Sequence, residues 1–224
     1  MKKLSILLFP LFLFSCKPHH NKPDPEAMKL NDSAVNIMTS MLGGQLESRV
    51  GKDSLYKIQL KMLNRATKID SNYFVAYVNK FGAQCRLKRY KDALITGKEM
   101  VRLAPKDPVI KFLVGKIYEQ NGDTILARSY YQDYLSYCDD RLDTMSTNNK
   151  SHKDIELQKA MVLVLLNQEQ KGHEILNRLS QQADDWDKDT YIILMHLKRA
   201  DMIECKDTSI TIGNRTTSIN TFFP

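Results

Sequence analysis

The stretch PVIKFLVGKIYEQNGDTILARSYYQDYLSYCD, from Pro108 to Asp139, spells out a helix hairpin. Gly115 and Tyr118 fall on a first segment of helical apolar spacing, Asn121-Gly122-Asp123 on a turn, and Ala127, Tyr131 and Tyr134 on a second such segment. Gly122 is free to take the left-handed conformation that ends one helix, and Asp123 has the side chain to cap the next. Gly115 and Ala127, small residues on facing sides, let two antiparallel backbones interlock, and the three tyrosines fill the space around the crossing.

The same unit recurs. At an offset of 34, Ala66, Met100 and Tyr134 fall in register, as do Leu63, Gly97 and Tyr131, and Ser71, Pro105 and Asp139. The clearest copies are 72–106 and 107–140. In the earlier one, Val78, Phe81, Gly82 and Cys85 form one apolar stripe and Ala93, Ile95, Met100 and Leu103 another, while the turn from Leu87 to Tyr90 has no glycine and reads one residue shorter.

This period and hairpin pattern resembles the tetratricopeptide repeat. The resemblance implies an all-α fold, a right-handed superhelix of antiparallel helix hairpins (an α-solenoid), whose first helices line a concave groove for a protein or peptide. The positions it places on that groove are Asn79, Ala83 and Arg86 on one helix and Val109, Phe112, Lys116 and Glu119 on the next. The lysine and asparagine set by which some family members grip a terminal carboxylate is not reproduced. Phe112 beside Lys116 and Arg86 suits an extended segment with an apolar anchor and acidic character; the alternative is that Phe112 packs against the neighbouring repeat. Tyr130 reads as outward-facing, a candidate convex contact, where Tyr131 and Tyr134 read as core.

Around the two clear copies lie less regular units, making one helical domain over 30–206. In the first hairpin, Asp32 or Ser33 caps a helix carrying Val35, Ile37, Met38, Met41 and Leu42, and Asp53-Ser54 caps a second carrying Leu55, Ile58, Met62, Leu63 and Ala66. Beyond Asp139 the helix continues through Leu142 to Met145, and a further, less regular hairpin follows from Ile155 to Leu179. There Gly172 breaks the pattern and His173 stands where a small residue is expected. Asp187 or Asp189 caps a final helix that covers the end of the stack with Tyr191, Leu194, Met195, Leu197 and Ile203. The tail, 207–224, is rich in Thr, Ser and Ile without helical period; it is either without fixed structure or docks Phe222-Phe223 on the last helix.

The start of the chain reads as a targeting device. Lys2 and Lys3 precede an apolar run from Leu4 to Phe14 too short to span a bilayer, the form of a secretory signal over 1–15. The run ends in Leu13-Phe14-Ser15-Cys16, which resembles a bacterial lipoprotein signal and implies diacylglyceryl transfer to the Cys16 thiol with cleavage before it. Several acyl chains, at about 0.8 kcal/mol per buried CH₂, anchor a protein durably. Residues 16–29, with prolines at 18, 23 and 25, read as a lipid-anchored flexible linker. The implied location is the envelope, most readily the outer membrane of a Gram-negative bacterium.

Composition narrows the function. The formal charge of +7 is spread in alternating signs along the helices, the pattern of a solvated face, and no basic stripe is interleaved with aromatics, so nucleic acid is not expected. Cys85 and Cys138 read as small buried hydrophobes; with Cys205 they leave an odd thiol and the option of one disulfide. His19-His20 lacks a third ligand. Asp184 to Asp189 fails as a calcium loop, since Thr190 and His196 stand where glycine and glutamate are required. Neither a phosphate loop nor a zinc-protease motif occurs. The expectation is therefore no metal, no cofactor and no catalysis: a monomeric module binding envelope proteins or peptides. Two rivals stand beside it, a dedicated neutraliser of one secreted toxin and an envelope enzyme on cell-wall material, the latter requiring Glu119 to meet His152 or His173 in one cleft.

Overall fold

The structure is a computed structural model describing residues 22–42, 51–147, 150–183, several positions between 188 and 203, and the strands 209–212 and 215–218. Eight helices, α1 (Pro25–Leu42), α2 (Lys52–Ile69), α3 (Phe74–Arg86), α4 (Tyr90–Leu103), α5 (Pro108–Gln120), α6 (Thr124–Thr144), α7 (Lys150–Leu165) and α8 (Glu169–Gln181), pack as four consecutive hairpins, each laid on the next. A short helix, α9 (Arg199–Ile203), touches α5 and α7. The architecture is helical and α-solenoid-like.

Three of the four hairpins turn in the same way. Lys88, Gly122 and Asn167 all have positive φ, at 54°, 87° and 61°. Each is followed by a residue whose amide donates back to the carbonyl five residues earlier: Arg89 to Gln84, Asp123 to Tyr118 and Gln168 to Leu163, at 2.8–2.9 Å. The α3–α4 turn is thus no shorter than its neighbour; Lys88 adopts the left-handed conformation without being glycine, held by these bonds. Asp123 caps α6 as its sequence position suggests, its Oδ1 accepting from the Leu126 amide at 3.1 Å.

Counting from these turns corrects the reading of the fourth hairpin, α7–α8. Gly172 falls in register with Ala93 and Ala127 and is itself the small residue at the crossing. A Cβ there would lie 2.7 Å from the Ala160 carbonyl oxygen. Gly115 makes the corresponding approach in the third hairpin, where a Cβ would stand 2.7 Å from Tyr130 Cβ. In the first hairpin the position is Gln59, buried, its Nε2 donating to the Ala34 carbonyl at 3.1 Å. A side-chain amide there links the helices where the other pairs rely on close packing.

The first hairpin also begins earlier than its sequence suggests. Asp24, not Asp32 or Ser33, caps α1: its Oδ1 accepts from the amides of Glu26 and Ala27 at 2.8 and 3.2 Å. Pro25 then occupies the first turn, where a missing N–H costs nothing. Helix therefore covers the end of the stretch read as linker. Asp53 and Ser54 lie inside the first turn of α2, whose cap residue is Gly51 without a side-chain bond. Met41, Leu42 and the link that follows lie outside the described side chains.

The core runs through the stack. Phe112, Tyr131, Tyr134, Met161, Leu165, Leu176 and Leu179 join α5 to α8, and Tyr191, Leu194 and Met202 extend the same cluster at the end, the covering role expected of the last helical segment. Phe81, Met100, Ile110 and Ile117 join α3 to α5. Ile95, read as core, is 67% exposed; Thr96 and Gly97 turn inward in its place.

The tail contains structure of a different kind. β1 (Ser209–Ile212) and β2 (Arg215–Ser218) pair antiparallel, Ile210 opposite Thr217 and Ile212 opposite Arg215. The runs of β-branched residues, Ile210 to Ile212 and Thr216-Thr217, on either side of Gly213-Asn214 are the sequence signal for such a ribbon, a signal of another kind from the helical periods. Phe222-Phe223, Leu197 and the capping aspartates Asp187 and Asp189 lie outside the described residues.

Candidate functional site

The first-helix face expected to form a groove is largely occupied by the chain itself. Asn79 donates from Nδ2 to Asn31 Oδ1 of α1 at 2.8 Å. The Arg86 guanidinium lies over the Tyr56 ring, 5.7 Å from its centroid. Ala83 is buried against α1 and α2, packed with Ala34 and Leu63. Val109 is half-buried against the main core, and Lys116 is nearly covered.

Phe112 is no groove anchor. Its ring stacks on Tyr134 at a centroid distance of 4.7 Å and tilts against Tyr131 at 5.7 Å, with 1% of the residue exposed. Helix α5 carries apolar residues almost all round and sits in the middle of the stack, so the side expected to be open faces more protein. Glu119 is likewise engaged: one oxygen accepts from the Tyr131 hydroxyl at 2.7 Å and the other from Arg199 of α9. Arg199 also donates to the Leu165 carbonyl at 2.8 Å, and Gln120 to the Ile203 carbonyl at 2.7 Å. These bonds pin α9 across the ends of α5 and α7. His152 stands apart with Glu156, 3.6 Å away, whose carboxylate is gripped by Arg178 at 2.6 and 3.3 Å.

Tyr130 differs from its expected outward pose. Its ring stacks on Tyr118 at 5.6 Å and 14°, half-buried, and burial raises its hydroxyl pKa. This stack fills the space between α5 and α6, at positions matching Gln84 and Thr96 one hairpin earlier and Leu163 and Ile175 one hairpin later. At both flanking places a groove is open. One, of about 250 Å³, lies between α2 and α4 over α3 and includes Asn64, Lys80, Gln84, Asp92 and Ile95. The other, of about 630 Å³, lies between α6 and α8 over α7, with Leu135, Leu163 and Ile175 inside and Lys159, Lys171 and Arg178 at its edge.

The cysteines behave as apolar core. Cys85 and Cys138 are buried and not disulfide-bonded. Burial, with Asp139 adding and Lys159 opposing, pushes the Cys138 thiol up to about 12. Iodoacetamide at pH 8 is therefore expected to modify Cys138 at least about a hundred-fold more slowly in the folded protein than in urea, measured by peptide mass spectrometry. Equal rates would contradict its placement in the core. Cys16, Cys205, His19-His20 and Asp184 to Asp187 lie outside the described residues.

Among the described residues no three His, Cys, Asp or Glu side chains gather as a metal site, and no helix is long and apolar enough to cross a membrane. No protein-family model matches the chain, and neither does any curated protein or solved structure.

Proposed function

We propose that the protein is a lipid-anchored, non-catalytic protein-binding module of the bacterial envelope, a right-handed superhelix of tetratricopeptide-repeat type. The observation that carries the reading is the recurrence of one hairpin geometry: the turns at Lys88, Gly122 and Asn167 share their φ sign and their hydrogen bonds. Chains that repeat a two-helix unit present long inter-helix surfaces and serve mainly to hold other proteins. Leu13-Phe14-Ser15-Cys16 supports the anchor, and the outer membrane is its proposed seat.

The anchor is tested by growing cells with an alkyne-bearing palmitate and fractionating them. The wild-type protein is expected to carry the label and sediment with membranes, and Cys16→Ser to lose the label. A labelled Cys16→Ser protein, or an unlabelled wild type, would overturn the lipoprotein reading. Affinity capture of the anchored form then separates two kinds of binder: one very tight partner marks a dedicated neutraliser, several weaker ones a scaffold.

A further inference from the structure

We infer that the groove between α2 and α4 binds an extended acidic segment of a partner protein: a carboxylate on Lys80, a backbone N–H on Gln84 and an apolar side chain against Ile95. Three independent features of this groove are left unfinished by the chain itself. Gln84 is 4% exposed, yet its Oε1 has no hydrogen-bond partner, and a buried acceptor of this kind calls for a donor. Lys80 is half-buried, and among the described residues no carboxylate comes within ion-pair distance of it; Asp92, the acid beside it, is held by Arg89 at 2.7 Å. Ile95 is 67% exposed at the edge of the same groove.

Each feature specifies part of the occupant. Burial lowers the Lys80 pKa, with Asp92 opposing, so the ammonium gains from a further anion brought against it. An inorganic anion would satisfy Lys80 but leave Ile95 uncovered and give Gln84 no N–H. A peptide supplies all three groups from adjacent residues. The volume, about 250 Å³, is below the ~300–1,000 Å³ usual for small-molecule sites and fits a short length of chain. In the middle of the stack the equivalent positions are filled by the Tyr118–Tyr130 pair, so the space has the scale of large side chains.

The wider groove over α7 lacks these demands. Lys159 is paired with Asp139 at 2.5 Å, Arg178 with Glu156 at 2.6 Å, and Lys171 donates to Gln168 at 3.0 Å.

The inference rests on the protein-binding reading and names its surface. Its test needs neither anchor nor host membrane: the isolated protein is titrated with acetyl-Leu-Asp-Leu-Asp amide and, separately, with its neutral Asn counterpart, following the Gln84 side-chain amide and the Ile95 methyl resonances by NMR. Saturable shifts at both, in roughly the millimolar range of a single short segment, are expected for the acidic peptide. Lys80→Gln is expected to weaken binding at least about five-fold, and Ile125→Asp, at an 83% exposed residue of α6, to leave it unchanged. Equal binding of the neutral peptide, indifference to Lys80→Gln, or shifts confined to the α6–α8 groove would overturn the inference. Failure here leaves the protein-binding reading standing with another surface.

Discussion

Replacing Gly172 by valine is expected to lower stability by about 3 kcal/mol or more, because the first atom added collides with backbone. An ideal Cβ at this position lies 2.7 Å from the Ala160 carbonyl oxygen and 3.0 Å from Val164 Cγ2. No rotamer relieves contact with a carbonyl, so α7 and α8 must move apart and open the core around Leu176 and Leu179. For a chain of this size the melting temperature should fall by roughly 6–12 °C, followed by circular dichroism. Gly82→Ala is the control. There the nearest atom is Arg86 Nη1 at 3.1 Å, the far end of a flexible side chain, and removing a helical glycine favours the fold by about 0.5–1 kcal/mol. Similar melting of Gly172→Val and wild type would mean that the fourth hairpin does not cross where the shared register puts it.

Phe112→Ala is the second large effect, expected to cost about 3–5 kcal/mol. The ring is enclosed by Tyr131 and Tyr134, each itself 1% exposed, so truncation leaves a cavity against two buried tyrosine rings. Phe112→Asp should be worse, since a carboxylate placed there has lost its water without gaining a partner. Urea unfolding of the alanine variant separates the two roles assigned to this residue. A core ring lowers stability when removed; a groove anchor leaves stability unchanged and loses only a ligand. Unchanged stability would restore the groove reading of α5.

Much of the fold was legible because the information is local. Gly122 and Asp123 announce a turn by their chemistry, and Tyr131 and Tyr134 announce a core by spacing, without reference to the rest of the chain. Where the same geometry is reached by other residues, the signal fades. Lys88 takes positive φ as a lysine, and only its bonds to the preceding helix reveal it. Asn167 is chemically readable, since asparagine tolerates that conformation; taken as the turn, it would have placed Gly172 at the crossing. The prolines before Glu26 suggested a tether because proline usually excludes helix, yet Asp24-Pro25 is a start signal of the same form as Asp107-Pro108, where Asp107 accepts from the Val109 amide at 2.9 Å.

The groove residues were less legible for a tertiary reason. Which side of a first helix is open depends on what packs beyond it: α1 covers part of that face on α3, and α9, remote in sequence, reaches α5. Glu119 looks like a surface acid and is an internal partner of Arg199, eighty residues away. The open groove over α3 does leave a trace in the chain. Gln84 and Thr96 stand where the next unit has Tyr118 and Tyr130, a pair too small to close the same space.

The groove between α2 and α4 is expected to hold another protein at the membrane. A photo-crosslinking phenylalanine placed at Ile95 of the full, anchored chain, with a matched one at Ile125, tests it in living cells. Discrete adducts with an envelope protein from position 95, weak or absent from 125 and lost in Lys80→Glu, are the expected result. No adduct from either position would contradict the placement of a partner on this groove. Adducts from 125 alone would contradict the groove assigned here.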